Sequence, residues 1–131
     1  MAGSLAIFST LYALSSTLCC MSVSTHILDT ANGRPAANVA LALWQLQAAG
    51  WKEIGKGLTD ADGRCKTLLG DAPLQAGEYS IRFETGAWYE DQNIEPLYPH
   101  VAIIFTVRDP TQHHHIPLLL TANGYTTYRG S

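Results

Sequence analysis

The chain has 131 residues, of which 47% are hydrophobic and 15% charged, and its formal net charge is -3. That length supports one domain with a hydrophobic core and is too short for two. The few cations argue against nucleic-acid binding, which usually needs clustered Lys and Arg. The three cysteines, Cys19, Cys20 and Cys65, are odd in number and lack metal-ligand spacing, so they predict no disulfide framework. A small domain this poor in charge often buries part of its surface in an oligomer.

The first twenty-one residues need separate treatment. Met1 to Cys20 contains no charged side chain and includes the apolar run Leu5 to Phe8. It is similar to the hydrophobic part of a secretory signal, but it lacks a basic residue near the start and a small-x-small cleavage site. Ser and Thr interrupt it too often for a membrane span. We therefore divide the chain into an apolar N-terminal extension, residues 1–21, and a folded domain, residues 22–131. If Met21 is the natural start we expect a cytoplasmic protein, and if the extension is a signal we expect a periplasmic or secreted one.

From Ser22 onward the pattern predicts a series of short strands. Residues 22–28 are rich in β-branched side chains, and alternation places His26 on the face opposite Val23, Thr25 and Ile27. A turn over residues 29–33 leads to an alternating run at 39–46. Residues 51–58 can return as its hairpin partner at an exposed edge. The dipeptide Asp62-Gly63 predicts a further tight turn, directly before Arg64 at a strand start.

The second half continues the pattern. Residues 77–84 and 100–107 alternate as strands, and residues 85–93 can form one or two helical turns. The chain thus predicts seven or eight strands with turns at intervals of ~8–12 residues. We expect an all-β fold, a two-sheet antiparallel β-sandwich with one short helix.

The last nineteen residues contain three consecutive histidines, an apolar run and a turn. Alternation places His114 with the apolar residues of the run on a core-facing side, and His113 and His115 on the opposite side. Asn123-Gly124 predicts a two-residue hairpin loop of type I′, which requires positive φ at both positions. We expect residues 125–129 to fold back along this strand, with Arg129 and the carboxylate of Ser131 near its polar face.

Four side chains on polar faces could carry chemistry, namely His26, Arg64, His115 and Arg129. Each alone has an ordinary structural explanation. A lone strand histidine is mostly structural, Arg64 can be a solvated cation at a strand start, and Arg129 can pair with its own chain terminus.

The histidine run also allows a metal interpretation, because imidazole is a common zinc ligand. Only His113 and His115 face the same way, so a zinc site would need His26 or another distant ligand. The chain has no Gly-x-Ser-x-Gly nucleophile elbow, no cysteine with an evident histidine partner and no Gly-rich phosphate loop. The spacing therefore favours a metal-free site.

Several segments together resemble the 5-hydroxyisourate hydrolases, the transthyretin-related family of urate breakdown. They are Ser24 to Ala36, the Asp62-Gly63-Arg64 turn, His113-x-His115-Ile-Pro-Leu-Leu-Leu120 and the terminal Tyr128-Arg-Gly-Ser131. The terminal motif is specific, because it separates these hydrolases from transthyretin, the hormone-carrying relative. The resemblance extends from about Ser22 to the end. It departs at His114, where the family usually has Tyr, and alternation predicts altered packing there before altered chemistry.

The resemblance implies a transthyretin-like sandwich assembled as a homotetramer, with active sites in a channel at a dimer–dimer interface and no cofactor. It implies His26, Arg64 and His115 as the catalytic set. Tyr128, Arg129 and Ser131 would bind substrate and shape the site from the tail.

The implied reaction is hydrolysis of 5-hydroxyisourate to 2-oxo-4-hydroxy-4-carboxy-5-ureidoimidazoline, by attack of water on a ring acyl–nitrogen bond. Water is a poor nucleophile, and a histidine with a pKa near ~6.5 is suited to activate it. We expect His115, assisted by His26, to deprotonate the water and Arg64 to stabilise the oxyanion. Which histidine is the base stays open.

The alternative is a transthyretin-like carrier that holds a small aromatic ligand in the tetramer channel. Such a carrier would lack both the His-Arg-His set and the Tyr-Arg-Gly-Ser end. The presence of both favours the hydrolase.

Overall fold

The computed structural model describes residues 22–66, 68–70 and 72–131. The predictions for residues 1–21, including Cys19 and Cys20, lie outside this part of the chain. The strands are Val23–Asp29 (β1), Arg34–Pro35 (β2), Ala40–Gln47 (β3), Gly50–Leu58 (β4), Arg64–Cys65 (β5), Gly77–Phe83 (β6), Val101–Val107 (β7), His114–Thr121 (β8) and Gly124–Thr127 (β9). One helix, Thr85–Glu90 (α1), lies between β6 and β7.

The strands form two sheets packed as a sandwich. The first sheet has the order β2-β1-β8-β9, with β5 also paired to β1, and the second has the order β4-β3-β6-β7. The predicted two-sheet sandwich with one short helix is confirmed. Nine strand segments are described where seven or eight were predicted, because β2 and β5 are only two residues long.

The core lies between the inward faces of the two sheets. The predicted alternation is confirmed in β1, where Val23 and Ile27 are fully buried, and in β8, where Ile116, Leu118 and Leu120 are buried. The second sheet contributes Leu41, Leu43, Tyr79, Ile81 and Phe83 from β3 and β6. Burial of such apolar side chains stabilises the fold by roughly 1.5–3 kcal/mol each. Because the inward face is apolar, the polar residues of β1 and β8 are left on the outside of the first sheet.

One strand pairing differs from the expectation. β1 and β8 run parallel, in a register that joins Ser24 to His115 and His26 to Pro117. The predicted antiparallel sandwich is confirmed for the other strand pairs, and this pair is the exception. Alternation assigns a side chain to a face but carries no information on the direction of a distant partner strand.

The closing hairpin forms with a different turn. Thr121 pairs with Gly124, so the two-residue loop is Ala122-Asn123. The type I′ prediction for Asn123-Gly124 was wrong, because neither residue has positive φ. The Thr121 hydroxyl braces the turn instead, accepting the Asn123 N–H at 3.3 Å and donating to the Gly124 carbonyl at 3.2 Å. Within the described residues, no helix is long and apolar enough to cross a bilayer.

Candidate active site on the outer face of the first sheet

The outward side chains of β1 and β8 form one continuous polar surface. Ser24 and His26 share this face of β1, and His115 and Pro117 share it on β8, since the parallel register pairs them directly. His113 precedes β8 and lies on the same side. The structure therefore brings His26 and His115 together from segments about ninety residues apart in the sequence.

Arg64 reaches the same surface through the turn before β5. The Asp60 carboxylate accepts the N–H groups of Asp62 and Arg64, both at 2.9 Å, and Gly63 adopts φ +76°. A Cβ at Gly63 would lie 2.5 Å from the Ile27 carbonyl oxygen, so glycine is needed for this close approach. The turn places Arg64 directly opposite His26 in the antiparallel β1–β5 pair. Residues directly opposite each other share a face, so the guanidinium and the imidazole project side by side.

A serine hydroxyl joins two of the histidines. Ser24 Oγ lies 2.8 Å from His115 Nδ1 and 2.8 Å from His113 Nε2. The other nitrogen of the His113 ring, Nδ1, lies 2.7 Å from Ser22 Oγ. The two imidazoles stack with their centroids 6.3 Å apart. Because Ser24 contacts the Nδ1 atom of His115, the Nε2 atom of that ring is left for a ligand.

Burial and neighbouring basic groups control the protonation of His115. Burial of the ring lowers its pKa below the ordinary value, and His113, His26 and Arg64 lower it further by repulsion. A hydrogen bond with the Ser24 backbone acts in the opposite direction and raises the pKa. His115 is therefore neutral at neutral pH and able to accept a proton. The arrangement provides a base, a second imidazole and a permanent cation on one face.

The C-terminal tail closes over His115. Gly130 donates its N–H to the His115 carbonyl at 2.8 Å and forms an antiparallel bridge with that residue. A Cβ at position 130 would collide with the His115 ring and lie 3.2 Å from Pro117 Cγ. Glycine is therefore required for the tail to lie this close to the imidazole. Ser131 follows immediately, next to the His115 backbone.

Arg129 does not join His115 within the chain. Its guanidinium donates to the Gln112 side chain at 3.0 Å. With Tyr128, Thr127 and His114 it lines a depression of about 230 Å³ beside β7. This placement differs from the predicted position of Arg129 near the polar face of β8. By the hairpin register it lies opposite Ile116, a core-facing position, because a two-residue loop pairs odd residues of β9 with even residues of β8.

His114 occupies the core-facing side, as alternation predicts. The ring is 4% exposed, lies 6.5 Å from the Phe105 ring centroid, and its Nδ1 contacts the Gln112 carbonyl at 2.9 Å. Burial is the main cause that lowers the pKa of His114, and Arg129 adds to it. This residue is a packed core histidine.

The sequence reasoning missed Ser24, His113 and Gly130 as residues of the site. Alternation had placed His113 on the correct face, and Ser24 has the same parity as His26. The parallel β1–β8 register that brings Ser24 beside His115 has no local sequence signal.

The metal interpretation has no support from the geometry. In the described part of the chain, no three His, Cys, Asp or Glu side chains converge closely enough to hold a metal ion. Cys65 is buried as a free thiol.

The fold and the candidate site together describe a β-sandwich protein with His26, Arg64 and His115 on the outer face of one sheet. The family described as HIUase/Transthyretin matches residues 23–130, and the chain belongs to this family. It is 41% identical to mouse 5-hydroxyisourate hydrolase over 111 residues, covering 83% of this chain and 94% of the mouse protein.

Solved structures agree on the fold. Klebsiella pneumoniae 5-hydroxyisourate hydrolase superposes with a TM-score of 0.75 at 35% identity, covering 84% of this chain and 98% of that one. Transthyretin from Sparus aurata superposes with a TM-score of 0.78 at 32% identity, covering 84% and 97%. Because both branches of the family match equally well, the backbone does not separate hydrolase from carrier. The side chains of the polar face must do so.

Proposed function

We propose that this protein hydrolyses 5-hydroxyisourate to 2-oxo-4-hydroxy-4-carboxy-5-ureidoimidazoline in urate catabolism. One observation carries the proposal: a neutral, half-buried His115 lies with His26 and Arg64 on one sheet face, in a chain similar to mouse 5-hydroxyisourate hydrolase. A carrier of apolar ligands has no use for a base beside a fixed cation.

In the proposed mechanism His115 Nε2 removes a proton from water as the water attacks the ring carbonyl. His26, the neighbour of Arg64 across the β1–β5 pair, assists in orienting the water. His115, whose pKa is lowered mainly by burial, is neutral at the operating pH and is well matched to the role of base. The protonated histidine then returns its proton to the ring nitrogen as the acyl–nitrogen bond breaks. The acyl carbon becomes a carboxylate and the six-membered ring opens.

Arg64 stabilises the negative charge that develops on the carbonyl oxygen. A guanidinium remains protonated throughout the reaction, and a fixed donor of this kind typically contributes a factor of about 10²–10³ to the rate. The Asp60 turn holds the Arg64 backbone, so the side chain starts from a fixed position opposite His26.

The tail residues Tyr128, Arg129 and Ser131 complete the proposed site. Ser131 follows the Gly130–His115 bridge and is suited to contact the polar edge of the substrate. Arg129 contributes through its hydrogen bond to Gln112, which fixes the tail.

We also propose that the protein acts as a homotetramer in which the polar faces of the first sheet line a channel. In the single chain this face is open, and Arg64 is exposed. Large apolar side chains are also exposed on the edge strand β7 and beside β9, with Ile104 at 64% and Tyr128 at 56%. Exposed apolar surface of this kind is typical of an association surface. Size-exclusion chromatography with light scattering tests the assembly, and a stable monomer that retains full activity would contradict it.

A cytoplasmic location completes the proposal, with the periplasm or secretion as the alternative if residues 1–20 act as a signal. Cell fractionation followed by mass analysis of the mature N-terminus separates the two.

The decisive experiment generates 5-hydroxyisourate in situ with urate oxidase and follows its decay spectroscopically with and without the protein. The substrate decays slowly by itself, so the uncatalysed rate is the control. We expect acceleration that is lost when the last four residues are removed. A folded tetramer that gives no acceleration would refute the hydrolase and favour the carrier, which a binding screen with small aromatic ligands would then test.

The pH profile provides a second check. The neutral form of His115 is the base, and its pKa is lowered, mainly by burial. Activity should therefore persist below pH ~6.5 and fall only as the pH drops through the lowered pKa. An acid limb of kcat/KM centred above pH ~7 would exclude His115 as the base.

A further inference from the structure

Ser24 is buried and lies between the imidazoles of His113 and His115. It contacts the Nδ1 side of the His115 ring, opposite to Nε2. Its hydroxyl is 2.8 Å from His115 Nδ1 and 2.8 Å from His113 Nε2. The Nδ1 atom of His113 in turn lies 2.7 Å from the Ser22 hydroxyl oxygen. Four side chains thus form one linear series of contacts that ends at the catalytic ring.

Counting protons restricts how these contacts can be satisfied. A neutral imidazole carries one N–H, and Ser24 carries one O–H. If His115 holds its proton on Nδ1, it donates to Ser24, and the serine hydroxyl is free to donate to His113 Nε2. His113 then carries its own proton on Nδ1 and donates to Ser22. If every donor and acceptor in the series is reversed, the His115 proton lies on Nε2. That nitrogen then has no free lone pair and cannot act as a base.

We propose that Ser24 and His113 are positioning residues that hold His115 in the tautomer protonated on Nδ1, so that its Nε2 lone pair faces the attacking water. This inference rests on the proposed hydrolase function and assigns two residues outside the His26–Arg64–His115 set. The tautomer of a functional histidine is commonly set by the hydrogen bond made at its other nitrogen. Here a serine and a second histidine take the place that a carboxylate occupies in a catalytic triad.

A hydroxyl beside His115 suits the positively charged groups around the ring. His26 on β1 and Arg64 on β5 face His115, and His113 stacks against it. A carboxylate at the position of Ser24 would favour the protonated form of His115, which cannot act as a base. A hydroxyl fixes the ring and the tautomer while leaving the imidazole neutral.

The first test reads the tautomer directly. Long-range ¹H–¹⁵N correlation spectra of the full-length protein, labelled with ¹⁵N-histidine, distinguish protonated from bare ring nitrogens. With His115 assigned by the H115N variant, we expect the neutral wild-type ring to carry its proton on Nδ1. In S24A, which removes the hydroxyl but keeps the Ser24 backbone, this preference should weaken. A wild-type ring protonated on Nε2 overturns the proposal, whether or not the protein proves to be a hydrolase.

The second test measures turnover. S24A should lower kcat by about tenfold, the upper range for one oriented hydrogen bond, and leave KM within about twofold. S24T retains the hydroxyl and should restore most of the rate. H113A should resemble S24A, whereas H113Q, whose amide oxygen can accept from Ser24, should be intermediate.

Matched controls come from the other sheet. S80A and H100Q alter residues on the outer face of the second sheet, where both line a depression away from His115. They should leave kcat and the His115 tautomer unchanged. If S24A keeps the wild-type kcat, or if only its KM changes, the inference is overturned. The hydrolase function still stands in that case, provided that the wild-type protein is active. An inactive wild type refutes the hydrolase separately.

Discussion

The two faces of β8 use the same amino acid in opposite ways. On the inner face His114 is packed near Phe105 and bonded to a backbone carbonyl. On the outer face His113 and His115 contact one serine hydroxyl, and His115 lies within electrostatic reach of His26 and Arg64. The buried His114 ring and the half-buried His115 ring both have lowered pKa values, chiefly because of burial. A shifted pKa therefore does not identify the functional histidine; the groups that surround it do.

The largest expected effect comes from removing the outer-face base. H115N should reduce kcat by about 10²-fold or more. The asparagine amide can still donate to Ser24 from near the position of Nδ1, so the loss reports the missing Nε2. The in situ urate oxidase assay provides the measurement, and turnover comparable to wild type would remove His115 from the mechanism.

Removing the cation opposite His26 should have the next largest effect. R64M should lower kcat by about 10²–10³-fold, because the developing oxyanion loses its fixed donor. Arg64 is exposed and outside the core, so the thermal unfolding midpoint should change little. R64K retains charge without the planar fork and should be intermediate. If R64M is as active as the wild type, Arg64 is a solvated surface cation without a role in catalysis.

The contact between the tail and His115 can be disturbed by a single methyl group. G130A places a Cβ against the His115 ring, and displacement of the base should lower kcat by about tenfold. G124A is the matched control in the same hairpin, because its Cβ would meet only Thr121 Oγ1 at 3.8 Å. Similar losses in both variants would indicate a general weakening of β9.

The smallest effect on catalysis should come from the inner face. H114Y introduces the residue usual in the family and should leave kcat within about threefold, since position 114 lies on the face of β8 opposite His115 and meets the proposed site only at the depression that it shares with Tyr128 and Arg129. Its larger ring should cost about 1–3 kcal/mol of stability through overpacking. A kcat loss as large as that of H115N would end the distinction between the two faces.

The pH dependence of stability should sharpen the same comparison. The pKa values of folded His114 and His115 lie below the unfolded value near ~6.5. Between these values the unfolded state binds more protons, so stability falls as the pH drops below ~6.5 and the loss is complete below the folded pKa values. Thermal unfolding between pH 7.5 and 5 should show this decrease, and H114Y should show less of it. A wild-type midpoint that rises on acidification would contradict the assignment.

Alternation alone determined much of this protein. A period of two residues assigns every side chain of a strand to one face, so the sequence placed His26 on the polar side of β1, separated His114 from His113 and His115, and predicted the core of both sheets. The same parity, applied through a two-residue loop, already assigns Arg129 to the face of Ile116. The expectation that Arg129 would meet the polar face overlooked this consequence.

Tertiary structure decided which residues of the polar face meet. The parallel pairing of β1 with β8 connects segments about ninety residues apart in the sequence and brings Ser24 against His115 and His113. The β1–β5 pair sets Arg64 opposite His26, and the return of the tail brings Gly130 onto the His115 ring. Faces follow from local geometry, whereas the direction and register of distant strands depend on packing the whole core. The sequence could therefore nominate His26, Arg64 and His115, and only the folded sheet could show that a serine joins His115 to a second histidine.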